Sequence, residues 1–179
     1  SLAAGDTLRL DVVLPPLVQT LDEVTVRRPS RAASARFVEF ERRRAIGHGH
    51  FRTREELERR ESSKLSDVLR GVNGVRFVFL PNGRGIAVAS NRFSGNLPGS
   101  RRRTDHCFMS VWVDGVRVFD SASSEATGGA AVDPPNVNGF TIDQIEGIEV
   151  YRGPAETPAE YGGTNAMCGT LALWTRVGR

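Results

Sequence analysis

Lysine is almost missing from this chain: Lys64 is the only one among 24 lysines and arginines, so its positive charge rests on guanidinium groups. Against them stand 21 aspartates and glutamates, and the balance of +3 does not argue for nucleic acid without a ladder of basic and aromatic residues, which the sequence does not have. Long apolar runs are missing too. The longest are strand-length, which excludes a transmembrane helix, and there are too few alternating ten-residue segments to close a membrane barrel. P-loop, dinucleotide fingerprint and nucleophile elbow are all absent. No charged-then-apolar leader follows Ser1, so the compartment is not written at the start of the sequence. What is present is the composition of a folded domain, with 179 residues of which 39% are hydrophobic and 25% charged, enough to bury a core.

Cysteine is scarce as well. Cys107 and Cys168 each precede a strand-like run, VWVDG and GTLALWT, so a bridge across the sheet and two buried free thiols are both open; an oxidising compartment selects the bridge. His48, His50 and His106 add metal-ligand residue types but no compact ligand spacing, so neither a metal nor a cofactor is expected. Cys168 with His106 or His50 as base is the distant enzymatic alternative, and the chain reads as a non-enzyme.

In chain order, residues 7–14 alternate as a strand and Pro15-Pro16 stop it. Leu21-Asp22-Glu23-Val24-Thr25-Val26 is a short β-prone segment flanked by prolines and charges, suited to pairing as an edge strand. Residues 31–46 predict a helix with Phe37 and Phe40 as core anchors, Glu39 and Glu41 paired with following arginines, and Gly47 as its stop. GHGHF reads as loop. Thr53 and Glu56 form a T-x-x-E capping box opening a second helix, and Leu65, Val68 and Leu69 share one face of a third that stops at Gly71.

Runs at 75–80 and 86–90 predict a hairpin, and Asp114-Gly115 between 108–113 and 116–119 predicts a second with a type I′ turn. Arg101-Arg102-Arg103 lie in a loop and read either as solvated charge or as an anion-binding loop. Residues 121–139 read as a long loop of small residues, and Thr141 to Gln144 as a short helical turn. Near the C-terminus two alternating runs follow: Ile148 and Val150 opposite Glu149 and Tyr151, then Leu171 and Leu173 opposite Ala172 and Trp174. Between them lies a Gly- and Pro-rich segment in which Glu149 and Arg152 are expected to form an ion pair or hydrogen-bonding anchor for the loop 153–169. The fold class is α+β, a mixed sheet with short flanking helices.

Several of these segments together resemble one family. Ile145-Glu146, Ile148-Glu149-Val150, Arg152-Gly153-Pro154, Tyr161-Gly162, Gly169 and a final strand ending in Thr175-Arg176 resemble the closing motif of the plug domain of TonB-dependent outer-membrane receptors. LSDVLRGVNGVRF resembles the family's L-x-D-x-L-x-x-x-P-G-V, with Asn73 at the proline, and Val113-Asp114-Gly115-Val116 matches its V-D-G-V strand. The resemblance covers about residues 50–176 and implies two regions. Residues 1–30 would hold the end of a carboxypeptidase-regulatory-like domain and a TonB box at Leu21–Val26, and residues 31–179 the plug-like domain.

The resemblance further implies a non-enzymatic module that gates or accompanies substrate import. Its partners would be the C-terminal domain of TonB or an outer-membrane β-barrel, and its location the periplasmic side of the outer membrane. Membrane association would come only through a barrel or partner. The family's second strand ends in an arginine-glycine pair that, with the arginine of R-G-P, docks against barrel glutamates; this chain has Ser90-Asn91 there, with Arg92 out of alignment. That departure, and the ending at Arg179, point to the alternative of a stand-alone periplasmic binding module with a plug fold.

Overall fold

The computed structural model describes residues 4–5, 11, 31–60, 62, 64–92, 106–120, 133–163 and 166–176. The expected N-terminal strand, the segment Leu21–Val26 and the run Arg101-Arg102-Arg103 lie outside them. Three helices occur in this part, α1 (Arg31–Ile46), α2 (Arg54–Glu58) and α3 (Leu65–Leu69). None of its helices is long and apolar enough to cross a membrane.

Eight strands accompany them: β1 (His50–Thr53), β2 (Val75–Phe79), β3 (Ile86–Ser90), β4 (Cys107–Phe108), β5 (Ser110–Val113), β6 (Val116–Phe119), β7 (Ile145–Tyr151) and β8 (Thr170–Thr175). The α+β class holds, but the strands expected in one sheet divide into two. A five-stranded sheet runs β1-β7-β8-β5-β6 and a three-stranded sheet runs β2-β3-β4. In the larger, β5 and β8 pair in parallel and every other pairing is antiparallel, so that sheet is mixed.

The alternation of β7 and β8 is borne out, and both faces are covered. Ile148, Val150, Leu171 and Leu173 join a core with Leu57, Leu65, Val68 and Leu69 from α2 and α3. Tyr151, Ala172 and Trp174 face a second, aromatic cluster with Phe40 of α1. Phe37 packs on that cluster, so both phenylalanines anchor α1 as its stripe predicts. Its exposed face carries the expected pairs, Arg42 with Glu39 and Arg44 with Glu41.

Two local expectations need correction. GHGHF is not all loop, because His50–Thr53 pairs with Gly147–Val150 as an edge strand. Thr53 does start α2, in the extended geometry usual for an N-cap (φ −89°, ψ 168°), but its side chain makes no cap hydrogen bond and meets the Glu55 carboxylate instead. The third helix stops where expected, with Arg70 as its C-cap and Gly71 directly after it, and the left-handed turn follows at Gly74 (φ +93°). The two hairpins stand: β2 and β3 pair over their whole length, and Asp114 and Gly115 both adopt positive φ (51° and 81°), as a type I′ turn requires.

Of the loop expected over 121–139, residues 133–139 are described, and they are held by side-chain hydrogen bonds. Asn136 Oδ1 accepts from Ile86 N–H (3.0 Å) and Asn138 N–H (3.1 Å), while Asn138 Oδ1 accepts from Ser66 N–H (3.0 Å), so two asparagines sew this segment to β3 and α3. The short turn after Thr141 forms as predicted over Ile142–Gln144.

Cys107 and Cys168 form a disulfide with Cα atoms 5.2 Å apart. Cys107 lies in the small sheet and Cys168 two residues before β8, so the bond links the small sheet to the last strand of the large one. Beside it Gly169 (φ +85°) has no room for a side chain: a Cβ there would lie 2.4 Å from the Tyr151 carbonyl oxygen. Closing a loop of 61 residues constrains the unfolded chain by about 4 kcal/mol. The Cys107→Ser/Cys168→Ser variant is expected to melt roughly 10 °C lower. Calorimetry with and without reductant checks this, together with the absence of titratable thiol in the denatured, unreduced protein.

Candidate functional site

The sequence motif that stands out, Arg152-Gly153-Pro154 to Tyr161-Gly162, leaves the end of β7 and is braced at both ends. Arg152 lies one residue past β7 and pairs with Glu156: its backbone N–H donates to Oε2 (3.0 Å), its Nε to Oε1 (2.8 Å), and its Nη2 also to Oε1. The Gly153 carbonyl accepts from Glu156 N–H, Thr157 N–H and the Thr157 hydroxyl, which closes the turn on itself. Burial works against the Glu156 carboxylate, but the hydrogen bond and charge of Arg152 outweigh it and hold its pKa below the usual carboxylate range. Gly162 ends the loop's last 3₁₀ turn in a left-handed conformation (φ +104°).

The expected Glu149–Arg152 pair is not made. Strand alternation turns Glu149 to the α1 face with Tyr151, whereas Arg152 is already in the turn and meets Glu156. Glu149 is instead a fully buried carboxylate ringed by donors. Arg43 approaches it side-on with Nε to Oε2 at 2.9 Å and Nη2 to Oε1 at 2.8 Å; Trp174 Nε1 donates to Oε1 at 2.6 Å and the Tyr151 hydroxyl to Oε2. Arg43 also reaches Glu160 (2.5 Å) and lies over the rings of Tyr161 and Trp174.

Burial opposes the charge on Arg43, yet its bonds to Glu149 keep its pKa above normal. Burial, then the neighbouring Glu149 charge, push both Tyr151 and Tyr161 well above the ordinary phenol value, so both stay neutral donors or packing rings. Tyr161, expected as part of the motif, thus stands between loop and helix, with its ring 5.1 Å from Trp112 and 6.0 Å from Tyr151. Arg43 was missed in the sequence because it reads as one more surface arginine of α1. Its signal was its place three residues beyond Phe40, on the same stripe.

Asp114 is tied to the end of β8: its Oδ1 accepts from Thr175 N–H at 2.9 Å and its Oδ2 from the Thr175 hydroxyl at 2.5 Å. At the departure from the resemblance, Ser90 is buried, but Arg92 swings back toward the motif. Its Nη1 lies 3.4 Å from where a Cβ on Gly153 would sit. The histidines and cysteines do not converge. His106 Nδ1 contacts Arg76 Nη2 (3.1 Å), both sulfurs are in the disulfide, and Cys168 therefore has no thiolate to offer a nucleophilic mechanism. Among the described residues no three His, Cys, Asp or Glu side chains are grouped to hold a metal.

A family model described as the TonB-dependent receptor plug domain matches residues 52–169, well over half of the chain. This chain belongs to the TonB-dependent receptor plug domain family. The plug is also similar to parts of larger solved structures. These include the ferric enterobactin receptor of Pseudomonas aeruginosa (24% identity, TM-score 0.41, covering 73% of this chain and 18% of that one). The siderophore receptor of Acinetobacter baumannii gives 24%, 0.41, 74% and 18%, and the ferric yersiniabactin uptake receptor of Yersinia pestis 17%, 0.40, 72% and 17%. The chain therefore spans less than a fifth of the length of each of these receptors. No curated protein matched the chain significantly.

In the plug, Glu149 and Arg43 form a buried pair, and removing one partner strands the other's charge at a cost of about 3–5 kcal/mol. Arg43→Met alone is expected to lower unfolding free energy by about that much, and Arg43→Met with Glu149→Gln by distinctly less, as read by urea denaturation. Equal or additive losses would show that packing, not charge, is at stake. His50 offers a pH readout: burial, then the charge of Arg152, depress its pKa below 6.5, with Glu156 opposing and Arg52 adding to the fall. A depressed imidazole contributes stability above its unfolded pKa and loses it as pH drops below about 6.5. Thermal stability is expected to decline from pH 6.5 to 5, and less so in His50→Asn.

Proposed function

We propose that this chain is the plug module of an outer-membrane, TonB-dependent uptake system, a non-enzymatic element on the periplasmic side that gates or accompanies substrate import. The observation that carries the reading is the plug-family match over residues 52–169, whose R-G-P and Y-G motifs the structure organises as one braced loop. On this reading Leu21, Asp22, Glu23, Val24, Thr25 and Val26 are the TonB box, adding as a strand to the C-terminal domain of TonB. Arg152 and the convergent Arg92 are the cations presented to carboxylates of a barrel, so Arg92 takes in space the role that Ser90-Asn91 vacates in sequence.

A second reading, a stand-alone periplasmic module, is favoured by one observation: where the resemblance places the arginine of an arginine-glycine pair, this chain holds a buried serine, Ser90, bonded within the small sheet. The two readings separate on partner capture. The full chain is expected to retain the purified C-terminal domain of TonB on an affinity matrix, and deletion of Leu21–Val26 to abolish retention. Equal retention by both forms would remove the TonB box, and no retention by either would favour the stand-alone module.

A further inference from the structure

Where edge strand β1 passes into α2, an open cleft of about 300 Å³ is lined by Arg52, Glu56, Arg59 and Arg60. Three guanidinium groups against one carboxylate leave the lining positively charged. Arg52 uses Nη1 on the Phe51 carbonyl (3.0 Å) and comes no nearer to Glu56 Oε2 than 3.9 Å. Arg59 uses its Nε on the Glu55 carbonyl (3.2 Å), and neither it nor Arg60 is ion-paired with a carboxylate among the described residues.

Two atoms in this lining are buried without a hydrogen-bond partner: Arg52 Nε, which can only donate, and Glu56 Oε2, which when ionised can only accept. Buried polar atoms left open carry a free-energy cost and mark places where a bound group completes the network. The arginines favour an anion here, and one that completes this network accepts from Arg52 and donates to Glu56. Sulfate and chloride only accept. A phosphate that keeps a P–OH does both, and arginine forks match its oxygens in pairs.

We propose that this cleft is a binding site for a protonated phosphate group, either free phosphate or the phosphate monoester of a lipid headgroup. Arg52, Arg59 and Arg60 hold its oxygens, and Glu56 accepts its P–OH and thereby selects phosphate over sulfate. The site lies on α2 and its flanks, apart from the Arg152 loop, and does not depend on the uptake reading.

The test uses the full chain with three probes: inorganic phosphate, sulfate, and vesicles containing phosphatidic acid near pH 6, where a monoester is about half protonated. Calorimetric titration is expected to show saturable phosphate binding, with sulfate at least tenfold weaker. Arg59→Gln/Arg60→Gln, both exposed positions, is expected to weaken phosphate at least tenfold with unchanged circular dichroism, and Glu56→Gln to erase the preference over sulfate. Vesicle binding without free-phosphate binding, lost in the double arginine variant, would assign the group to a lipid and support the site. Equal affinity for sulfate and phosphate, equal binding to phosphatidylglycerol vesicles, whose diester has no P–OH, or no binding to any probe would overturn it.

Discussion

A carboxylate with no exposure to water must be surrounded by donors, and Glu149 gathers them from three parts of the chain: Arg43 of α1, Trp174 of β8 and Tyr151 of its own strand. Each donor fixes something else. Arg43 brings α1 down onto the sheet and its guanidinium covers Tyr161, so the loop between β7 and β8 is seated by the same residue that seats the helix. Had Glu149 been apolar, α1 would rest on Phe37, Phe40 and the outer contacts of Arg43 with Glu160, Tyr161 and Trp174, which hold distance and rotation less firmly. Directional bonds to a buried charge set both.

A second group of links holds the ends of the strands. The disulfide ties the small sheet to the segment entering β8, and Asp114 grips Thr175 where β8 leaves. The final strand is therefore held at both ends by contacts from the β4–β6 region, while β7 and β5 pair along its length. The R-G-P loop needs no strand of its own because it begins and ends on fixed points, Tyr151 and Cys168. Its inner geometry comes from the Arg152–Glu156 pair and the Gly153 carbonyl. Membership of the plug family rests on the match over residues 52–169, which takes in this frame together with α2 and α3.

Where reading the sequence succeeded, local physics was decisive. Alternation in β7 and β8, the Asp114-Gly115 turn and the Phe37–Phe40 stripe each need only a few neighbouring residues to be recognised, and each stands in the structure. Where it fell short, the partner was remote. Glu149 was matched to Arg152, three residues away, but its true partner lies 106 residues earlier in the chain. His50–Thr53 carries no strong strand pattern because an edge strand takes its conformation from β7. Asn136 and Asn138 sit in a run of small and polar residues and look like loop; their amides matter only because β3 and α3 present unpaired N–H groups to them.

The sequence by itself determined the α+β class, the order of most elements and the plug motif, since periodicity, turn residues and motif spacing are written in consecutive positions. Only the tertiary structure decided that the strands form two sheets, that Arg43 and not Arg152 neutralises Glu149, and that Arg92 reaches the Gly153 turn from out of alignment. The reason is the same in each case. A charge or an open hydrogen-bonding group accepts any partner of the right chemistry, and chain folding, not sequence distance, chooses which one arrives.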